Sequence, residues 1–289
     1  MQRVDFRDQI SRNKRNSLFL IVAIFAVFVL FGYVISLALD PGYFFIIMSL
    51  SIVISLIYVW AGYYNSAKIA VASVGAKEAS RIHHKQFYDL VESLTLASGL
   101  PMPKLYVMES RQINAFASGR NPENAVICVT TGALEKLEKR ELEGVLAHEL
   151  SHVANYDIRY ITIATVLVGM IAIASQIFLR SLWFRSDNDK SKIVFLLIGI
   201  VLAILAPIVV QLVQLAISRK REFAADATGV KFTRYPNGLI GALRKIKNEN
   251  YPEKKINKAV APMFFSNPLK GLGSTHPPLE KRIEILEKM

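Results

Sequence analysis

The sequence predicts a helical membrane protein with an additional α+β domain outside the bilayer. Of its 289 residues, 52% are hydrophobic and 20% are charged, a composition that excludes a disordered chain. The mean hydropathy of +0.32 is high for a water-soluble protein. Four long runs contain no charged residue: 18–39, 43–67, 160–179 and 193–217. Segments 68–157 and 218–289 lie outside these runs and together hold about 160 residues, enough for one sizeable hydrophobic core.

The first two runs predict a transmembrane hairpin within residues 1–67. At about 1.5 Å per residue, each run is long enough to cross a hydrocarbon layer of about 30 Å. Asp40, Pro41 and Gly42 lie between the runs and form a turn signal. The alternative for the first run is a cleaved signal peptide. The length of that run, and the second run that directly follows it, favour the hairpin.

The third and fourth runs predict a second transmembrane pair within residues 158–217. Pro207 is expected to kink the last span, which membrane helices tolerate. The alternative is that both runs are core helices of a large soluble domain, but uncharged runs of this length are seldom found there. A transporter or channel is disfavoured, because four spans without charged residues offer little ion pathway.

The net charge of +12 is explained by the flanks of the spans. Basic residues precede the first run, follow the second and follow the fourth, whereas the turn at Asp40 has none. The positive-inside rule therefore places the N-terminus and segments 68–157 and 218–289 in the cytoplasm. The loop 180–192 carries charges of both signs and weakens this assignment for the second pair. No basic stripe with interleaved aromatic residues indicates nucleic-acid binding, so the expected non-protein partner is the lipid bilayer.

Segments 68–157 and 218–289 predict the two parts of one α+β domain, which the second transmembrane pair interrupts in sequence. Apolar residues at helical spacing predict helices at 77–98, 134–155 and 278–288. Short β-like pieces predict a small sheet from 104–108, 113–118 and 125–131.

Residues 148–152 have the pattern His-Glu-x-x-His within a helical stretch. Positions i and i+4 share one face of a helix, so the imidazoles of His148 and His152 can bind one Zn²⁺ at about 2.0–2.1 Å. Glu149 lies beside the first histidine, where its carboxylate can reach an attacking water. The alternative is a helix whose two histidines bind no metal and are either hydrogen-bonded within the protein or exposed to solvent.

A catalytic zinc site of this kind needs a third protein ligand. Glu222 and Asp226 are also four residues apart, directly after the fourth run. Glu222 can ligate the metal while Asp226 accepts the free N–H of a ligating histidine. From spacing alone, ion pairs of these carboxylates with Arg219 and Arg221 are an equally good interpretation.

These motifs resemble, in their order, the HtpX family of integral-membrane zinc metalloproteases, gluzincin-type enzymes related to the CAAX prenyl proteases. The matching stretches are HExxH, a transmembrane pair, SRKREFAADATG at 218–229, STHPPLEKRI at 274–283 and NAFA at 114–117. The resemblance implies a zincin-like catalytic domain with one Zn²⁺ bound by His148, His152 and Glu222, and with Glu149 as the catalytic glutamate. It also implies a cell-membrane location, a cytoplasmic active site and proteolytic quality control of damaged proteins under stress.

The resemblance further implies a histidine near the zinc at His276. Because a tetrahedral intermediate needs a donor facing its oxyanion, His276 is the candidate for this catalytic role. The alternative is a loop histidine that caps the last helix. Arg282 is expected to anchor that helix through an ion pair.

Residues 113–118 are the candidate edge strand for peptide substrates. Extended peptides often bind by adding a strand to a sheet edge, so Asn114 and Ala115 are candidate substrate-binding residues through their backbone groups. The alternative is an ordinary internal strand.

Two other functions compete with a broad endopeptidase. One is a selective processing protease of the prenyl-protease type. The other is a non-enzymatic membrane scaffold with a structural zinc, whose site would be closed by a fourth ligand, Cys128 or His276. Cys128 is the single cysteine, which excludes an internal disulfide framework. No pattern in the sequence predicts an oligomeric state.

Overall fold

The structure is a computed structural model that describes residues 6–38, 41–164, 199, 219–249, 263–266 and 277–289. The predicted spans 160–179 and 193–217 lie almost entirely outside the described residues, as does His276. The predicted domain boundaries at 157–158 and 217–218 therefore stay predictions.

Helices make up most of the described chain. They are α1 (Phe6–Ala38), α2 (Phe44–Ser73), α3 (Lys85–Ser98), α4 (Thr131–Lys136), α5 (Lys139–Ala154), α6 (Arg219–Thr233), α7 (Pro236–Glu249) and α8 (Leu279–Leu286). Residues 157–164 are also helical and lie at the predicted start of the third span. Short 3₁₀ turns occur at Pro41–Tyr43 and Pro122–Asn124.

The strands β1 (Lys77–Glu78), β2 (Lys104–Met108), β3 (Ala115–Ser118) and β4 (Val126–Thr130) form one sheet. Their order is β1-β2-β4-β3, so that β3 lies at one edge. β2 and β4 are parallel, whereas β1 with β2 and β3 with β4 are antiparallel. The predicted small sheet is confirmed.

The two faces of this sheet are covered by different parts of the chain. Alternate residues such as Ala115 and Ile127 point into the main core, which they share with α3, α5, α7 and α8. Their neighbours Phe116 and Cys128 point to the other face and pack against Ala70 near the end of α2. The period of two along each strand thus places α5 on one face of the sheet and the end of α2 on the other.

Helices α1 and α2 pack against each other, as expected for a hairpin. They approach each other closely at Gly32, where an added Cβ would clash with Oγ of Ser51. Among the described residues, one helical segment, Pro41–Ser73, is long and apolar enough to cross a membrane. Side chains along it, such as Phe45, Ile54 and Trp60, are exposed on its outer surface. The predicted count of four spans is not established by these residues.

Two predicted helices differ from the structure. The helix expected at 77–98 begins only at Lys85, because residues 77–78 pair with β2 instead. The helix expected at 134–155 is divided between α4 and α5. Leu137 and Glu138 are extended there, and Glu138 begins α5 with a reciprocal capping box to Glu141.

Close contact between α5 and α7 depends on Gly144. A Cβ at this position would lie 2.6 Å from the backbone nitrogen of Leu239, and backbone cannot move aside as a side chain can. We expect Gly144→Ala to lower the free energy of unfolding by about 1–3 kcal/mol, although alanine favours helices. Gly241→Ala on α7 is the matched control, because its Cβ would first meet the flexible carboxylate of Glu141, at 2.8 Å.

Thermal unfolding of the detergent-solubilised full-length protein measures both changes. Gly144→Ala is expected to unfold at a lower temperature than the wild type, and Gly241→Ala at a similar or higher one. Equal unfolding temperatures for the two variants would contradict the close packing of α5 on α7.

Candidate metal centre

Helices α5 and α6 bring together three potential metal ligands. His148 and His152 lie one turn apart on α5, and Glu222 lies in the first turn of α6. The two Nε2 atoms are 3.1 Å apart. The Glu222 carboxylate oxygens lie 3.7 Å from Nε2 of His148 and 3.6 Å from Nε2 of His152. All three side chains are buried, and they form a cluster able to hold a metal ion.

These distances fit a tetrahedral zinc site. Ligand bonds of about 2.0–2.1 Å in tetrahedral geometry place ligand atoms about 3.4 Å apart. The chemistry of the donors fits as well. Nδ1 of each histidine faces a carboxylate, so when both imidazoles are neutral their Nε2 atoms present lone pairs to each other and to Glu222. A cation between these three groups relieves that repulsion.

A buried ion pair lies behind His148. Nδ1 of His148 donates to Oδ1 of Asp226 over 2.8 Å. Asp226 is held in turn by Arg282 of α8, whose Nε donates to Oδ2 over 2.9 Å and whose Nη2 donates to Oδ1 over 2.6 Å. Arg282 is 0% exposed. Burial acts to raise the pKa of Asp226, but the charge of Arg282 and the bond to His148 outweigh it, so that the pKa is lowered and the carboxylate stays ionised.

His152 is oriented by a different carboxylate, Asp157. Nδ1 of His152 lies 3.0 Å from Oδ2 of Asp157, which is fully buried. The chain reverses between these two residues through a turn in which Tyr156 has a φ of +59°. This left-handed conformation is uncommon for a residue other than glycine. It lets the helix that begins at residue 157 place its first side chain, Asp157, next to His152 at the end of α5.

Glu149 points into the same small cavity as the three ligands. It is 2% exposed, and its carboxylate accepts a hydrogen bond from the backbone N–H of Ala117 on β3. Burial raises the pKa of Glu149 to about 7. A carboxylate with this pKa can take up and release a proton near neutral pH.

The outward edge of β3 faces this cavity. The hydrogen bond between Thr130 and Asn114 fixes the alternation along this antiparallel pair, in which the backbone groups of Phe116 and Ser118 point to β4 and those of Ala115 and Ala117 point outward. The backbone of Asn114, expected at the edge, is turned to β4: its carbonyl accepts from N of Thr130 over 3.1 Å. The side chain of Asn114 binds the backbone of Ser266 instead, with Nδ2 2.7 Å from its carbonyl oxygen.

Segment 263–266 lies against the first part of this edge. The N–H of Phe265 donates to the carbonyl of Ala115 over 2.8 Å, and the ring of Phe265 packs at a right angle on that of His148. The chain itself thus occupies the edge at Ala115. Further along the edge, the N–H of Ala117 bonds the Glu149 carboxylate.

Protons compete with a metal for these groups. Burial acts to lower the pKa of His152, but the bond to Asp157 and the charge of Glu222 raise it to about 9, whereas burial lowers the pKa of His148 to about 4. Since a ligating histidine must be neutral, His152 has to lose its proton when zinc binds below pH 9. We therefore expect the apparent zinc affinity to rise from pH 7 to 9, by a factor approaching about ten per pH unit for one released proton, and to level off above.

Competition against a chelator of known pH dependence measures this affinity. The proton release is measured independently by calorimetry of zinc binding in two buffers of different ionisation enthalpy. A zinc affinity that does not change between pH 7 and 9 would contradict the raised pKa of His152.

The structure brings together four of the residues named from the sequence, His148, Glu149, His152 and Glu222, and places Asp226 behind them. It adds Asp157 and Ala117, which the sequence analysis missed, and gives Arg282 a partner beside the metal site. Asp157 follows the HExxH motif by five residues, so a search for carboxylates just after the motif would have found it. His276 lies outside the described residues, and its role stays a prediction.

Comparison with known proteins gives the family. The model of peptidase family M48 matches residues 82–289. The chain belongs to this family. It is 45% identical over 267 residues to the protease HtpX homologue of Caldanaerobacter subterraneus subsp. tengcongensis, with 86% of this chain and 89% of the relative covered. It is 40% identical over 294 residues to the protease HtpX homologue of Dictyoglomus thermophilum, with coverage of 100% and 96%.

The fold also resembles a solved structure. A crystal structure of Ste24p from S. mikatae matches 96% of this chain and 66% of that chain, with a TM-score of 0.51 and 20% identity. At this identity the likeness concerns the fold. Membership of the M48 family makes the chain a metalloprotease, and the resemblance to HtpX proteins expected from the motifs is confirmed.

Proposed function

We propose that this M48 peptidase is a membrane-bound, zinc-dependent endopeptidase that cleaves misfolded or damaged membrane and cytoplasmic proteins. The observation that carries the proposal is the arrangement of Glu149. Its buried carboxylate shares one cavity with the His148–His152–Glu222 cluster, next to an outward strand edge. A catalytic base, a metal cluster and a peptide-binding edge are thus adjacent.

In this proposal, His148, His152 and Glu222 hold one Zn²⁺, while Asp226 and Asp157 fix the two imidazole rings. A bound zinc ion supplies a Lewis acid that polarises the scissile carbonyl and acidifies the attacking water. Glu149 accepts the proton of that water and passes it to the leaving amine. His276 is the proposed donor to the oxyanion.

A peptide substrate is proposed to extend the sheet along β3. The N–H of Ala117 is on the outward edge and donates to the Glu149 carboxylate, so the carboxylate lies directly at this edge. A substrate paired there has its backbone beside the catalytic glutamate. Main-chain pairing depends little on side chains, which supports a broad range of protein substrates.

The membrane part of the proposal comprises four spans in the cell membrane, with the N-terminus and the active site in the cytoplasm. It is supported by the apolar exposed surface of Pro41–Ser73 and by the basic residues that flank the predicted spans. Contact of Ala70 with the sheet face behind β3 brings the hairpin close to the site. Proteins at the membrane surface are therefore within reach of the catalytic groups.

A structural zinc site, the non-enzymatic alternative, requires a fourth protein ligand. Cys128 is fully buried in an apolar cluster on β4 with Phe116, and within the described chain it does not join the three metal-binding residues. Burial raises the pKa of its thiol well above the usual range, which disfavours the thiolate that zinc needs. These observations favour the catalytic site.

Removal and return of the metal test the proposal. Purified full-length protein in detergent is incubated with casein as made, after treatment with a chelator, and after addition of zinc. Zinc content is determined on the same samples. We expect about one zinc per chain, loss of casein cleavage with the metal, and recovery with zinc. Cleavage that persists in metal-free protein would overturn the zinc mechanism, and bound zinc without cleavage of casein would favour a selective processing enzyme.

A further inference from the structure

The amino-terminal helix α1 reaches the supports of the metal centre through one side chain, Asn13. This residue lies just before the first apolar run and is only 3% exposed. Its Nδ2 donates to Oδ1 of Asp157 over 2.6 Å and to the carbonyl of Asn155 over 3.0 Å. The other oxygen of Asp157 is the one that faces Nδ1 of His152. Asn13 is thus connected to a candidate zinc ligand through a single carboxylate.

The two acceptors of Asn13 lie on either side of the left-handed residue Tyr156. A left-handed conformation costs a residue with a Cβ about 1–2 kcal/mol, so the surrounding contacts have to hold the turn in place. Asn13 bridges this turn, and its neighbour Lys14 contacts it as well, with Nζ 4.3 Å from the centre of the Tyr156 ring. Helix α1 thereby clamps the turn that presents Asp157 to His152.

Asn13 also contacts the helix that carries the third ligand. Its Oδ1 accepts a hydrogen bond of 3.3 Å from Nη1 of Arg221, the residue next to Glu222. The same guanidinium lies 4.9 Å above the ring of Tyr160. The amide of Asn13 therefore links three parts of the chain that are far apart in sequence: α1, the turn after α5, and the start of α6.

We propose that Asn13 is a positioning residue of the metal centre, which holds the Asn155–Asp157 turn so that Asp157 orients His152. The metal centre then depends on the correct docking of the first membrane helix. This inference rests on metal binding in the proposed function but not on the peptidase reaction. Loss of an outer hydrogen-bond partner of a metal-binding histidine typically lowers metal affinity by about 10–100-fold.

The test compares Asn13→Leu with Ser17→Ala in the full-length protein. Leucine keeps the branched shape of asparagine but removes its hydrogen bonds. Ser17 is equally buried one turn further along α1, and its hydroxyl donates to the carbonyl of Asn13, a bond within the same helix. We expect Asn13→Leu to bind zinc about ten-fold more weakly in chelator competition, and to change the visible spectrum of the cobalt-substituted protein. Ser17→Ala is expected to match the wild type in both measurements.

A double-mutant cycle with Asp157→Ala separates positioning from general stability. If Asn13 acts through Asp157, Asn13→Leu lowers zinc affinity in the wild type but changes it little when Asp157 is already replaced. Fully additive losses, or wild-type zinc affinity and cobalt spectrum in Asn13→Leu, would overturn the proposal. Should Asn13→Leu be recovered poorly, Asn13→Ala enters the same cycle. Because zinc affinity is read without substrate, the result is independent of whether casein is cleaved.

Discussion

Replacement of Glu149 by glutamine is expected to abolish peptide hydrolysis while leaving zinc bound. Glutamine has nearly the same shape and fits the same cavity, but its amide cannot take a proton from water. Loss of a positioned general base costs about 10²–10⁴-fold in rate. Glu149 is not part of the three-residue metal cluster, so the zinc content should stay at about one per chain. Casein cleavage and metal analysis on the same preparation measure both quantities.

Glu143→Gln provides the matched control on the same helix. Glu143 forms an ion pair of 2.8 Å with Arg140, whose side chain is 66% exposed; Glu143 is 15% exposed and does not line the cavity of Glu149. Such pairs contribute about 0–1 kcal/mol, so this variant should cleave casein at the rate of the wild type. If Glu149→Gln also retained full activity with bound zinc, another group would have to be the base, and the assignment of Glu149 would be wrong.

Much of the catalytic helix could be predicted because its signals are local. The HExxH spacing requires a helix to bring His148 and His152 to one face, and α5 provides it. Glu222 could not be assigned from spacing alone, since a carboxylate beside Arg219 and Arg221 is equally explained by surface ion pairs. Only the tertiary contact of α6 with α5 shows that Glu222 is buried against the two histidines.

The supports of the site were beyond sequence reasoning because they join distant parts of the chain. Asp157 reaches His152 only because the chain turns through a left-handed residue, Tyr156, for which no glycine or asparagine signal exists at that position. Asn13 is 144 residues from Asp157, and nothing in its neighbourhood marks it as different from other polar residues near a span. The direction of the backbone groups at the β3 edge also depends on tertiary structure. Pairing of β3 with β4, and not composition, turns the backbone of Asn114 away from the edge.

Replacement of Arg282 by methionine is expected to cause the largest loss of stability. Arg282 is fully buried and makes two hydrogen bonds to Asp226, which is 1% exposed. Removing one partner of a buried pair leaves the other charge uncompensated, at a cost of about 3–5 kcal/mol. Because Arg282 keeps the pKa of Asp226 low, the variant favours a protonated Asp226, which is a weaker acceptor for Nδ1 of His148. Denaturant unfolding should show the lower stability, and chelator competition a zinc affinity reduced by about 10–100-fold.

Arg244→Met is the control, because it removes an arginine from an exposed ion pair instead of a buried one. Arg244 pairs with Glu287 over the same 2.6 Å, but the two side chains are 60% and 47% exposed, so the expected cost is about 0–1 kcal/mol. The double variant Asp226→Asn/Arg282→Met removes both buried charges and should recover much of the stability lost in Arg282→Met. Its zinc affinity should stay below that of the wild type, since asparagine is a weaker acceptor for Nδ1 of His148. Equal stability losses in Arg282→Met and Arg244→Met would contradict the buried pair, because burial is what distinguishes the two arginines.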